Sequence, residues 1–328
     1  MDDRGIRSRI LVASRRGTTG SCRAGRRWAW WALVPMLAVG LSACTSDGGD
    51  RPGTGQPAPE RPAPGQPAPE SPKAPPNGKP GEDAQGDATT LASFFRGLTL
   101  TRRGSFGWRE VTVLPAAGPG DGPVLRVRYP ADSASHRAAA TGASAGGAQA
   151  YLTHPSGPLE EAWLSYDVRF PPGFDFVKGG KLPGLYGGTV TSGQRIPDGT
   201  DGFSTRYMWR RSGDGEVYAY LPTSQKHGTS IGRGSWTWPA GRWVQVVQHV
   251  RLNTPGRADG VLDVWFQGKQ VLHRTDITYR TTRDLRIDGL FFSSFFGGGD
   301  RSWATPKDQY ADFADVHLSA TALPGTAR

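Results

Sequence analysis

Apolar and polar positions alternate most cleanly between residues 203 and 221. Phe203, Thr205, Tyr207 and Trp209 alternate with Ser204, Arg206, Met208 and Arg210. Beyond Ser212-Gly213-Asp214-Gly215, Val217, Ala219 and Leu221 alternate with Glu216, Tyr218 and Tyr220. A period of two marks a strand with two different faces, and the Ser-Gly-Asp-Gly cluster marks a turn, so the stretch predicts a β-hairpin. If the apolar faces of its two strands coincide, paired residue numbers have an even sum. A sum of 424 sets Arg206 opposite Tyr218 and Ser204 opposite Tyr220, with the turn centred on Ser212. One face then carries a guanidinium, a hydroxyl and two phenols within cross-strand reach. A slip of one residue would send both tyrosines to the other face.

Other runs that read as strands are 124–129, 162–170, 243–252, 261–266, 285–296 and 310–318, separated by Gly, Pro and Asp. No sustained helical period is present; residues 90–96 read as a short helical turn at most. Many short strands with turn signals predict an all-β sandwich or barrel, and the 238 residues of 91–328 fit one such domain.

The first ninety residues have a different pattern. Residues 1–27 hold eight Arg and two Asp, and an uncharged, mostly apolar run follows at 28–43. A basic segment, a short apolar segment and small residues before a cut site read as a signal peptide. Sixteen residues are few for a spanning helix. The tetrapeptide Leu41-Ser42-Ala43-Cys44 resembles the bacterial lipobox, which implies a lipidated Cys44 and an extracellular protein anchored to the cell membrane. The only cysteines are Cys22 and Cys44, so the expected domain has no disulfide and no thiolate chemistry. Residues 44–90 read as a linker. Eleven prolines fall between 51 and 80, and GQPAPE occurs twice, a composition that favours extended polyproline II and buries no core.

Charge sharpens the picture. The chain carries +10, and residues 178–257 hold eleven Lys/Arg against four Asp/Glu. A basic strip in an exported domain predicts a polyanionic partner, and in that compartment an acidic sugar polymer is the natural one rather than nucleic acid. The six histidines are scattered without metal-ligand spacing, and no nucleophile elbow or phosphate loop is present. The Gly297-Gly298-Gly299 run reads as a turn.

Lys181, Ser204, Arg206, Tyr218 and Tyr220 remain, and they suit β-elimination on a uronic acid polymer. The C5 carboxylate must be neutralised so that its neighbouring C–H becomes acidic, and a planar guanidinium does this well. A base takes the C5 proton and an acid protonates the leaving O4; a tyrosine can serve in either role if a nearby cation lowers its pKa. This chemistry needs no metal or cofactor. The same residues also fit two other readings: a surface ladder on a non-catalytic carbohydrate-binding sandwich, or a glycoside hydrolase, for which Glu216 and Asp201 form the best carboxylate pair. Among Trp209, Trp236, Trp238, Trp243 and Trp303, the pair Trp236 and Trp238 in the GSWTWPAGRW loop are the better candidates for stacking on sugar, because Trp209 lies on the apolar face of its strand.

The segments LSYDVRFPPGFDFVKGGKLPGLYGG, GFSTRYMWRRSGDGEVYAYLP and IDGLFFSSFFGGGDRSWATPKDQYADFAD resemble the polysaccharide lyase family 14 type of domain, which includes alginate lyases and glucuronan-cleaving enzymes. The resemblance covers residues 100–320. It implies a β-jelly roll of two antiparallel sheets with a concave, basic cleft; separately, the protein is expected to be a monomer. It also implies a catalytic set made of a Lys in KLPG, a Ser-x-Arg strand and a Tyr-x-Tyr partner, which fall here on Lys181, Ser204 with Arg206, and Tyr218 with Tyr220. Through the resemblance alone, Ser293, Ser294 and Gln309 are expected to line the cleft.

Overall fold

The computed structural model describes residue 91 and residues 93–326. The signal segment, Cys44 and the Pro-rich linker lie outside the described residues. In chain order the strands are β1 (Thr99–Phe106), β2 (Val111–Leu114), β3 (Val124–Tyr129), β4 (Ser133–Ala134), β5 (Ser144–Ala145) and β6 (Ala148–Thr153). Next come β7 (Glu161–Arg169), β8 (Gly179–Gly188), β9 (Gly202–Arg210), β10 (Gly215–Tyr220) and β11 (Thr229–Ile231). The last are β12 (Trp243–Arg251), β13 (Gly260–Phe266), β14 (Lys269–Ile277), β15 (Gly289–Phe296) and β16 (Gln309–Ser319). One helical turn, His136–Ala139, is capped by the Ser135 hydroxyl, which accepts from the Ala138 N–H.

Two seven-stranded antiparallel sheets form a jelly-roll sandwich. The first has the order β1-β6-β15-β8-β9-β10-β11 and the second β14-β13-β12-β7-β16-β3-β2. Their inner faces share one core, in which Leu164, Tyr166 and Val246 of the second sheet pack with Leu182, Tyr207 and Trp209 of the first. Such face-to-face packing follows directly from the period-two patterning of each strand.

The β9–β10 hairpin has the predicted register. Tyr218 pairs with Arg206 and Tyr220 with Ser204, and the turn at Arg211–Gly213 places Ser212 at its centre with φ of 61°. All the predicted strands form, although β15 starts only at Gly289, because Ile287 makes an isolated bridge to Leu159 instead. Strands β1, β2, β4, β5, β6, β8, β11 and β14 lie outside the predicted runs. Strand β8 matters most. It sits between β15 and β9, almost wholly buried on both faces, so its sequence GGKLPGLYGG shows no alternation.

A bulge in β8 sets the geometry of the cleft. Lys181 pairs with Met208 and Gly184 with Arg206, with the register shift between Leu182 and Gly184. Pro183, which has no N–H to give to a ladder, occupies the irregular step. The extra residue restores parity, so that Lys181, Gly184 and Tyr186 all share the outer face with Arg206. Without it Lys181 would turn into the core. Two groups from the second sheet reach across the core to hold this region. The Tyr166 hydroxyl donates to the Pro183 carbonyl at 3.1 Å. The Gln248 amide donates to the Thr205 carbonyl at 2.8 Å and accepts from the Thr205 hydroxyl at 2.6 Å.

Candidate active site

A cleft of about 970 Å³ crosses the outer face of the first sheet, from Phe106 and Gln149 on β1 and β6 to Ser230 on β11. Its floor holds Lys181, Arg206, Met208, Arg210, Tyr218 and Tyr220. These come from β8, β9 and β10, which are adjacent, so next-neighbour pairing alone brings them together. A separate hollow of about 480 Å³ lies at the tip of the hairpin, around Arg211 and Ser212, and touches none of the five residues of the predicted catalytic set.

The charges on the floor are unbalanced. Arg210 is paired with the fully buried Glu216 at 2.6 Å. Arg206 is buried, its Nη1 donates to Ser293 at 3.1 Å, and its Nε has no partner among the described residues. Its guanidinium lies 4.4 Å from the centre of the Phe291 ring. Among the described residues Lys181 donates only to the Met208 sulfur, at 2.8 Å, and it sits 4.2 Å from the centre of the Tyr218 ring. Sulfur is a weak acceptor. Burial, and then the nearby Arg206 and Arg210, hold the Lys181 ammonium well below the ordinary lysine range, with Glu216 opposing the shift.

The tyrosines differ from the simplest expectation. Burial, reinforced by Tyr220, pushes the Tyr218 hydroxyl up to about 12, although Arg210 and Arg206 pull the other way. Desolvation therefore outweighs the cations, and Tyr218 keeps its proton at neutral pH. Tyr220 meets Tyr218 edge to face at 5.8 Å, and its hydroxyl accepts from the Gln194 N–H at 3.4 Å. Gly228 closes over both rings. A Cβ there would stand 2.7 Å from the Tyr218 ring and 2.9 Å from the Tyr220 ring, so only glycine lets that loop approach.

Several predicted positions lie elsewhere. Ser204 shares the cleft face but is fully buried and donates to the Thr191 carbonyl at 2.7 Å, which makes it an anchor for the loop after β8. Ser293 borders the cleft through Arg206, whereas Ser294, one residue on, points inward and bonds the Tyr129 hydroxyl at 2.5 Å. Gln309 lies on the second sheet, where it fastens the backbone of Asp175 through both its oxygen and its nitrogen. Trp236 and Trp238 are core residues, not cleft residues. Thr237 bridges to Asp214, which turns both indoles inward onto Tyr207, each 5.9 Å from its ring. Of the five tryptophans weighed, Trp303 is the one in the cleft. The Gly297–299 run makes room for it: a Cβ on Gly298 would fall 2.1 Å from the Trp303 ring. Gln149, His136, Arg137, Gln194 and His227 also line the cleft and carried no local signal in the sequence.

This architecture and this cleft place the chain among the jelly-roll polysaccharide lyases. The family model described as Polysaccharide lyase 14 matches residues 118–316, most of the folded part, and the chain belongs to that family. The marine PL-14 alginate lyase from Aplysia kurodai is 29% identical over 71% of this chain and 94% of its own, with a TM-score of 0.60. Alginate lyase vAL-1 from Chlorella virus is 22% identical over 70% and 94%, with a TM-score of 0.59. A variant of alginate lyase Aly36B in complex with alginate tetrasaccharide is 24% identical over 70% and 89%, with a TM-score of 0.58. No curated protein matches the chain.

Proposed function

We propose that this polysaccharide lyase cleaves uronic-acid polymers of the alginate or glucuronan type by β-elimination. One observation carries the reading: Lys181 and Arg206 are two buried cations on the cleft floor, and neither forms an ion pair among the described residues. A buried charge without a partner is costly, and a bound carboxylate supplies the partner. The similar structures named as alginate lyases, one of them holding an alginate tetrasaccharide, support the same substrate class.

In this reading Arg206 neutralises the C5 carboxylate. Lys181, whose buried ammonium gives up its proton more readily than an ordinary lysine, takes the C5 proton once it has lost its own. Tyr218, still protonated, donates to O4 as the C4–O4 bond breaks and the C4=C5 double bond forms. A hydrolase fits poorly, because Glu216 is buried against Arg210 and Asp201 is absent from the cleft lining. The deciding experiment is incubation with alginate and with glucuronan. An unsaturated uronate that absorbs ultraviolet light supports the proposal; new reducing ends without that chromophore, or an intact polymer, refute it. Export and lipidation at Cys44 belong to the same proposal and rest on residues 28–44. Cys44→Ser should release the protein from the membrane fraction, and a wild type found wholly in the medium would rule the anchor out.

Lys181 also links catalysis to stability. Its pKa is lower in the fold than in the unfolded chain, so above the folded value the unfolded state binds more protons. Its contribution therefore rises with pH up to the ordinary lysine value near 10.5. Lys181→Met removes the buried charge at similar volume. At neutral pH it should stabilise the fold by about 1 kcal/mol or more, raising Tm by about 2–4 °C per kcal/mol, while turnover disappears. A lower Tm in scanning calorimetry would show that the ammonium is well accommodated.

A further inference from the structure

The two walls of the cleft touch. One wall stands at the Phe296 and Gly180 end of the first sheet and includes Gly297–299 and the helical turn that carries Arg137. The Ser135 hydroxyl ties that turn to the wall by donating to the Gly298 carbonyl at 2.9 Å. The opposite wall is the loop that leaves β8 at Gly188 and re-enters at Gly202, and it carries Gln194. Arg137 runs past Gly299, where a Cβ would lie 3.8 Å from its Nε, and its Nη1 donates to the Gln194 Oε1 at 2.5 Å. This contact spans the cleft above the floor.

The far end of the bridge is firm at its base and bent at its tip. The Ser204 hydroxyl donates to the Thr191 carbonyl, and the Tyr151 and Thr191 hydroxyls meet at 2.8 Å. Gly193 and Gln194 both have positive φ, 79° and 67°, a conformation that costs a residue with a Cβ. The Gln194 backbone also donates to the Tyr220 hydroxyl, so the tip is coupled to the floor. The bridge itself is a mismatch. A guanidinium forms its strongest, bidentate bonds with a carboxylate, and here it is given a single amide oxygen.

We propose that Arg137 and Gln194 form a strap over the cleft, and that an acidic polymer opens it by taking Arg137 for itself. The guanidinium exchanges the Gln194 amide for a uronate carboxylate, so Arg137 is both latch and binding residue. The inference rests on the uronate reading above. It means that an interior stretch of polymer enters from the side when the strap parts, rather than by threading an end.

The two partners then have opposite effects on binding. Gln194 competes with substrate for Arg137, and an apparent affinity is reduced by the fraction of molecules held closed. The test measures calorimetric affinity for an oligoalginate hexasaccharide and an oligoglucuronan hexasaccharide, in a Lys181→Met background so that no cleavage intervenes. Gln194→Ala should tighten binding about threefold, and Arg137→Ala should weaken it about tenfold with a shallower dependence on salt. Arg137→Lys should fall between wild type and Arg137→Ala, and the double variant should follow Arg137→Ala. Shifts of the same sign in both single variants, no shift in either, or no binding of either probe would overturn the strap. Both side chains are exposed, so melting temperatures near the background value are expected. If Arg137→Ala does not fold, the opposed signs of Gln194→Ala and Arg137→Lys decide the question. The uronate reading is judged separately, by whether wild type cleaves the polymers.

Discussion

Arg206→Ala should lower kcat on a cleaved uronate polymer by about 100- to 1000-fold, the loss seen when a donor to a developing oxyanion is removed, about 3–4 kcal/mol. Elimination puts negative charge on the carboxylate and C5 together, so the neutralising group works hardest in the transition state and the loss should appear in kcat more than in KM. Nothing else on the floor replaces it. Arg210 is engaged by Glu216, and the Lys181 ammonium is held weakly. Arg206→Lys should recover only part of the rate, because a point charge lacks the fork that meets both carboxylate oxygens. The fold should tolerate the change, since the guanidinium is buried without an acidic partner and its Nε is already unsatisfied. Turnover above a tenth of wild type in Arg206→Ala, at saturating polymer and unchanged Tm, would remove Arg206 from the mechanism.

Tyr218→Phe should lower turnover by about 100-fold or more, the usual contribution of a positioned proton donor, with shape and burial preserved. Its hydroxyl is raised to about 12, so it is a full donor at neutral pH and stays one until strongly alkaline conditions. The rate limb assigned to Tyr218 should therefore fall only as pH nears 12, and should vanish in Tyr218→Phe. Stability carries the opposite sign from that of Lys181. The unfolded tyrosine ionises first, near 10, so the native state holds more protons above that point and the Tyr218 contribution is lost between about 10 and 12. Tyr220→Phe should cost less, because its hydroxyl is occupied by the Gln194 N–H. A Tyr218→Phe enzyme at full speed, with Tyr220→Phe dead, would reverse the two roles.

The hairpin was legible in the sequence because its two faces meet different surroundings. Tyr207 and Trp209 enter the core while Arg206 and Tyr218 enter the cleft, and alternation records that contrast. Strand β8 was obscure for the opposite reason, since Gly, Leu and Pro suit burial on both sides and leave no period. The parity of β15 already separates Ser293 from Ser294: Leu290, Phe292 and Phe296 fill the core, and Ser294 follows them. Trp236 and Trp238 looked exposed because a Gly- and Pro-rich stretch suggests a surface loop, but a single bridge at Thr237 folds them in. Arg137 with Gln149, Gln194, and Trp303 reach the cleft from three separate stretches of the chain. Only the order of strands in the sheet brings them together, and one sequence does not encode that order in any local pattern.

The five predicted catalytic positions, from Lys181 on β8 to Tyr220 on β10, all stand on strands, and between them stand Tyr207, Trp209, Val217 and Ala219 of the core. Function more often sits on loops, which can open while their scaffold stays intact. Here that separation is missing. Parting Arg206 from Tyr218 means peeling β10 from β9, which breaks their ladder and withdraws Val217, Ala219 and Leu221 from the core, so it is costly. The enzyme thus has little access to a folded but catalytically scrambled state. Heat inactivation and loss of the sandwich become a single cooperative event.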